Sequence, residues 1–239
     1  MKKPDAPDFI KALNDLDPAF GNLAVQHMGE IWSRPGLTLK ERAFISIVCD
    51  VCNQTLSTPF EYHIKMALEN GATRQDVKEA VLHTVVYDAS TKCLEAIAKL
   101  KELYAVFDKM GLYLTGDKVS HLEPAVNWVL DTDVKDRLLA FDSQYGDLVA
   151  RHAGEIWSRS GLTPMERIYI SLAGDVCQQT LSDSGPFPFH INLCLQNGLS
   201  REQVYEILLH LTIEAGFPKV WQAFNALKEH FVTLDQEKP

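Results

Sequence analysis

The sequence predicts an all-α protein made of two tandem copies of one helical unit, and three observations predict it. Residues 20–57 align without a gap onto residues 145–182, an offset of 125, with 23 of 38 positions identical. Self-similarity over such a length marks a duplicated unit, and two copies are too few for a solenoid. Within each copy, apolar residues recur at three- and four-residue spacing, as from Ala43 to Cys52, and no segment sustains the alternation of a strand. Helix start and stop signals also fall at matching places in both copies.

The first matched element is a helix: Gly29-Glu30-Ile31-Trp32-Ser33-Arg34 recurs as Gly154-Glu155-Ile156-Trp157-Ser158-Arg159, and Pro35-Gly36 or Ser160-Gly161 ends it. Thr38 or Thr163 caps the next helix, with Glu41 or Glu166 three residues on to complete a capping box. After two inserted residues near Asp183-Ser184-Gly185 the offset becomes 127, and Pro59-Phe60 with His63 pairs with Pro186-Phe187 and His190. Asn70-Gly71 and Asn197-Gly198 read as helix C-caps, and Thr73 and Ser200 as N-caps of the succeeding helix. The pattern gives about six helices per copy. The copies span residues 1–110 and 124–239, with residues 111–123 as connector.

Composition sets the class. With 46% apolar residues the chain can bury a core, and no apolar run is long enough to span a bilayer. The two N-terminal lysines have no apolar stretch behind them, so no signal peptide is visible and a cytoplasmic protein is expected. Thirty-two acidic residues against 23 basic ones give a net charge of −9 with no basic block, which argues against nucleic acid and anionic membranes as partners. Five cysteines do not make a disulfide scaffold, and Cys49 and Cys52 have no second ligand pair to complete a zinc site, so no metal is expected.

Polar residues present in both copies are the candidates for chemistry. They include Glu41/Glu166, Arg34/Arg159, Arg42/Arg167, Asp50/Asp175, His63/His190 and His83/His210. At about 100° per residue, Glu41 falls within roughly 20° of Cys52 on the same helix face. Glu41 then either accepts a proton or orients a histidine, or it serves only the capping box. His63 and His190 open an amphipathic helix after a Pro-Phe turn and either donate a proton to a carbanion-like intermediate or serve as structural residues. His83 and His210 sit among Val and Leu and read as core. Arg34 and Arg159, beside Trp32 and Trp157, either pair with Glu30 and Glu155 or hold a substrate carboxylate. Cys49-Asp50-Val51-Cys52 has the spacing of a redox dithiol, but the second copy has Gly174 in place of the first cysteine, which favours buried structural thiols.

Trp32 to Leu37, Arg42, His63-Ile64, Ala67-Leu68 and Asn70-Gly71, with their repeats and Ala215-Gly216-Phe217-Pro218, resemble the carboxymuconolactone decarboxylase family. The likeness covers nearly the whole chain as two copies of this alkyl hydroperoxidase D-like unit. It implies a pseudo-dimer, sites at the interfaces between units, and a homo-oligomer in which three chains make a pseudo-hexamer. One branch of the family decarboxylates a carboxylated lactone without a cofactor; the other reduces peroxides through a Cys-x-x-Cys pair. Carried over by position, the first branch gives Arg34/Arg159, Arg42/Arg167 and Trp32/Trp157 for substrate, His63/His190 for protonation and Glu41/Glu166 to orient the histidine. The expected reaction is decarboxylation of a carboxylated lactone or similar small acid, with no cofactor. A non-catalytic oligomer and a thiol peroxidase using Cys49 and Cys52 are the alternatives. The sequence departs from both branches. Its cysteines lie too early for the thiol branch, where Asn53 to Leu56 occupy the window, and Tyr87 to Thr91 lack the usual Gly and Pro. Glu214 stands where Tyr is usual.

Overall fold

The computed structural model describes residues 7–112 and 132–236. Most of the expected connector, 113–123, lies outside the described residues. Those described form twelve α-helices and no strand, six in each half. The first half runs α1 (Pro7–Leu16), α2 (Pro18–Trp32), α3 (Leu39–Asn53), α4 (Thr58–Glu69), α5 (Arg74–His83) and α6 (Ser90–Met110), with a 3-10 turn at Thr84–Val86. The second runs α7 (Thr132–Phe141), α8 (Ser143–Trp157), α9 (Pro164–Gln178), α10 (Pro186–Gln196), α11 (Arg201–Glu214) and α12 (Phe217–Gln236).

The local signals operate as the sequence predicts. Thr38 and Thr163 accept from the backbone N–H of Glu41 and Glu166, whose carboxylates reach back to the capping threonine's N–H. Boxes at Thr73–Asp76 and Ser200–Gln203 start α5 and α11 in the same way. Such caps satisfy helix-end donors that would otherwise be orphaned. Gly36 and Gly161 adopt φ of +95° and +108°, and a Cβ on either would lie 3.1 Å from the Cγ of Glu206 or Glu79 in the opposite half. A left-handed turn under a neighbouring side chain explains why both copies carry glycine there.

Helices α3 and α9 form the centre. They are buried almost throughout, from Arg42 to Cys52 and from Glu166 to Cys177, and pack against each other. A helix that is buried on all sides is apolar all round, which is why these two show so narrow a polar face. Helix α11 crosses to pack on α2 and α3, and α5 crosses to pack on α8 and α9. The halves are therefore a pseudo-dimer in which each lends its fifth helix to the other. Bidentate ion pairs lock the exchange: Arg34 to Glu206 at 2.9 and 2.6 Å, and Arg159 to Glu79 at 2.6 and 2.8 Å.

Candidate functional site

Each half builds the same core of a site. Helix α3 supplies Asp50 and the following helix α4, packed on it, supplies His63, whose Nδ1 lies 2.7 Å from Asp50 Oδ2. The Thr55 hydroxyl donates to the other Asp50 oxygen at 2.7 Å, so the carboxylate is fixed from both sides. Trp32, at the end of α2, stacks on the His63 ring at 5.7 Å. The second half repeats this with His190 and Asp175 at 2.6 Å, Thr180 to Asp175 at 3.0 Å, and Trp157 stacked on His190 at 6.0 Å. A carboxylate on Nδ1 sets the ring orientation and balances positive charge when the imidazole takes a second proton.

The two sites differ in what faces Nε2, and that group comes from the other half. At His63 it is Glu214 on α11, with Oε1 3.8 Å away. At His190 it is Tyr87, whose hydroxyl lies 3.2 Å from Nε2 and donates to Ser171 Oγ at 2.6 Å. The offset of 127 makes Tyr87 and Glu214 equivalent, yet their backbones diverge. Helix α11 runs unbroken to Glu214, whereas α5 ends at His83 and tightens into the 3-10 turn before Tyr87. Gly174 accommodates the result: a Cβ there would lie 2.8 and 2.9 Å from Cβ and Cγ of Tyr87. Its counterpart is Cys49. In an open helix interior Gly→Ala stabilises by about 1 kcal/mol. At Gly174 the expected sign is opposite, a loss of about 1–3 kcal/mol from overpacking, measurable by urea denaturation.

Electrostatics divide the two sites in the same way. Burial opposes charge on His63, but Glu214 and Asp50 outweigh it and raise its pKa. Burial pushes the Glu214 carboxyl up; His63 offsets this and Asp50 adds to it. Burial likewise raises Asp175, opposed by His190, and raises the Tyr87 phenol, which is held as a neutral donor at ordinary pH. Both sites open onto cavities. The first-half cavity, about 460 Å³, is lined by Asp50, His63 and Glu214 among mainly apolar side chains. The second-half cavity, about 210 Å³, is lined by Tyr87, His190 and Trp157, with Arg137 at its wall.

The structure brings His63, His190, Trp32 and Trp157 to these sites. The other candidates are held elsewhere. Glu41 and Glu166 remain capping residues, Glu41 accepting from Thr38 N at 2.6 Å and Glu166 also pairing with Lys40 at 2.8 Å. The carboxylates that orient the histidines are Asp50 and Asp175. Arg34 and Arg159 are engaged by Glu206 and Glu79, so their guanidinium groups hold the halves together. Arg42 and Arg167 are buried. Arg42 donates to the Arg34 carbonyl at 2.8 Å, Arg167 donates to the Arg159 carbonyl, and neither lines either of these two cavities.

Each of these buried arginines also lies beside a histidine of the other half: Arg42 Nη1 is 3.3 Å from His210 Nδ1, and Arg167 Nη1 is 3.2 Å from His83 Nδ1. Burial first, then the adjacent arginine, pushes both histidines well below the usual range. Each neutral ring accepts at Nδ1 and so donates from Nε2 toward Ser46 or Ser171. These core histidines thus bridge the buried arginine to the serine beneath each site.

Cys49, Cys52 and Cys177 gather where α3 meets α9, with Cys49 and Cys177 sulfurs 3.5 Å apart. Cys52 is raised by its contact with Cys177 and by burial; for Cys49 the contact with Cys177 lowers, but burial together with Glu214, Cys52 and Asp50 outweighs it and the thiol is raised as well. A redox dithiol needs the reverse, an accessible thiolate. Among the described residues no group of three His, Cys, Asp or Glu is disposed to hold a metal ion. No described helix is long and apolar enough to cross a membrane.

Asp50 and Asp175 are visible in the sequence as polar residues kept in both copies, but spacing along one helix does not show that they meet a histidine on the next. The Tyr87–Glu214 equivalence is also visible, though not its consequence.

Comparison with known proteins adds a family. A family model described as "Carboxymuconolactone decarboxylase family" matches residues 18–102 and 144–229. A nitrosuccinic acid decarboxylase from Metarhizium robertsii is 34% identical over 82 residues, which span 34% of this chain and 57% of that protein. A 4-carboxymuconolactone decarboxylase from Acinetobacter baylyi is 28% identical over 100 residues, 41% of this chain and 72% of that one. The crystal structure of a protein assigned as a gamma-carboxymuconolactone decarboxylase subunit from Burkholderia xenovorans LB400 superposes with a TM-score of 0.51 at 20% identity, covering 99% of this chain and 93% of that one. This last likeness speaks for the fold.

Proposed function

Because the chain belongs to the carboxymuconolactone decarboxylase family, we propose that it removes CO₂ from a small carboxylic acid, a carboxylated lactone or a compact acid of similar electronics, without a cofactor. The observation that carries this reading is the buried His190–Asp175 pair, which opens with Tyr87 onto a cavity walled by Arg137.

The named substrates of the two curated relatives share a requirement. Loss of CO₂ next to a nitro group leaves a nitronate, and loss of CO₂ conjugated to a lactone carbonyl leaves a dienolate; both place the developing charge on oxygen. A site for either needs an anchor for anionic oxygen, a donor for the developing charge and a proton for the carbanion. Among the described residues lining the two cavities, Arg137 is the lysine or arginine, and it faces the second-half cavity. Tyr87 supplies a neutral phenol that can turn its hydrogen bond from Ser171 to an oxyanion at little reorganisation cost. His190, charge-balanced by Asp175, returns the proton to carbon. The reading includes assembly of the two-repeat chain into a trimer. Apolar side chains exposed at equivalent positions of both halves, Phe20 and Leu23 with Tyr145 and Leu148, support it.

The test is CO₂ release from nitrosuccinic acid and 4-carboxymuconolactone by the wild type, His190→Ala and His63→Ala proteins. Turnover that His190→Ala loses by about 10²-fold or more, and His63→Ala keeps, is the expected result. Turnover that survives His190→Ala sinks the assignment of the site, and no turnover of either acid sinks the choice of these substrates.

A further inference from the structure

The duplicated site has been refitted in the first half, where Glu214 replaces the phenol. We propose that the first-half cavity is a second, chemically distinct site that moves a proton between carbons of a small uncharged lactone or ester, with the Glu214 carboxylate as the base. The inference goes beyond the decarboxylase reading and concerns the other cavity.

Three features of the cavity carry it. First, Glu214 lines the cavity together with His63 and Asp50, and its side chain keeps a residual 11% exposure. Its distances to His63 Nε2 and His210 Nε2, 3.8 and 4.0 Å, leave the carboxylate close to but not locked by either ring. Ser46, the counterpart of Ser171, and Trp32 hydrogen-bond the Glu214 carboxylate, much as Ser171 and His190 hold Tyr87 at the second-half site. Second, the charge of the lining selects the ligand. Two carboxylates line this cavity with His27 and His63 and, among the described residues, no lysine or arginine; His63 is already paired with Asp50, so a carboxylate ligand meets the unbalanced Glu214 here and finds its cation, Arg137, only next door. The remaining wall, with Leu13, Phe20, Met28, Ile213 and Phe217, suits an uncharged and largely apolar molecule. Third, a phenol donates a hydrogen bond but is a poor base at ordinary pH, whereas a carboxylate in an apolar enclosure is a competent one. Burial that raises the Glu214 carboxyl works in that direction.

The step balances without a co-reactant. The Cα–H bond next to the carbonyl breaks as a Glu214 O–H bond forms, and the C–H electron pair moves into the carbonyl to give a dienolate. His63, held by Asp50, donates a hydrogen bond toward the dienolate oxygen. Glu214 then returns the proton to the γ-carbon, its O–H bond breaking as the new C–H bond forms, and the double bond moves into conjugation.

The probe is α-angelica lactone, an uncharged β,γ-unsaturated lactone, followed by ¹H NMR in D₂O with the full-length protein. The wild type is expected to speed conversion to the conjugated isomer well above the rate in buffer, with the γ-carbon taking protium from the α-carbon, and deuterium only to the extent that the Glu214 carboxyl exchanges with D₂O before the return. Glu214→Gln, close in shape and able to fold, should lower that excess by about 10²-fold or more, while His190→Ala should leave it within a few-fold. A wild-type rate equal to buffer overturns the proposal, as does full activity in Glu214→Gln or loss of activity in His190→Ala. Decarboxylation of the two acids measured on the same preparations reads the other cavity separately, so either reading can fail alone.

Discussion

Arg42→Ala is expected to cost about 3–5 kcal/mol of stability, although this arginine belongs to a pair that the family resemblance places on the substrate. Its side chain is fully buried between α2, α3 and α11, donating to the carbonyls of Arg34 and Pro35 and lying against His210 Nδ1. Truncation leaves these acceptors in a water-free space, each at about 1–3 kcal/mol, and adds an unfilled void. For a chain of this size that is a fall in Tm of roughly 6–20 °C, measured by calorimetry or circular dichroism. Arg34→Ala provides the scale. Its ion pair with Glu206 is partly solvated, with Arg34 35% exposed, and should cost only about 1 kcal/mol. If Arg42→Ala left Tm unchanged and instead raised KM for a carboxylated substrate, the arginine would be a ligand-binding group after all.

The arginines show why the fold was more legible in the sequence than the site. Helices, caps and the duplication depend on neighbours a few residues apart, and Thr38 with Glu41 or Ser200 with Gln203 fold as written. The site depends on contacts across 161 to 172 residues in one half and about half that in the other: Arg34 with Glu206, Asn53 with the Glu214 carbonyl, His83 with Ser171. Position within a helix cannot show such partners. Glu41 looks eligible because it shares a stripe with Cys52, yet the local capping box claims it and Asp50, about two and a half turns further on, meets the histidine. The repeat itself holds the missing signal. Asp50 and Asp175 persist in both copies at positions without a capping or surface role, and across from the histidines the copies differ in charge at Tyr87 against Glu214. Gly174 against Cys49 is the compensating difference, readable only once Tyr87 is seen resting on it.

Asp175→Asn is expected to lower decarboxylation by about 10²–10⁴-fold while leaving the fold intact, the range associated with loss of one proton-transfer partner. The carboxylate accepts from His190 Nδ1 at 2.6 Å and from the Thr180 hydroxyl at 3.0 Å. An asparagine keeps the size and can still accept from one of these groups, so packing barely changes. What it removes is the negative charge that balances an imidazolium, and with it the strict demand for a proton on Nδ1. A ring that turns its lone pair to the amide, or that resists its second proton, cannot protonate the carbanion through Nε2, and Tyr87 then faces a different partner. The loss should appear in kcat rather than KM, because Arg137 and the apolar wall still bind the acid. Asp50→Asn makes the opposing measurement. It breaks the identical pair in the first half, where two carboxylates disfavour an anionic substrate, and should leave CO₂ release within a few-fold of wild type. Equal losses from both substitutions would mean that the two cavities share the reaction, and that exchanging tyrosine for glutamate did not divide their labour.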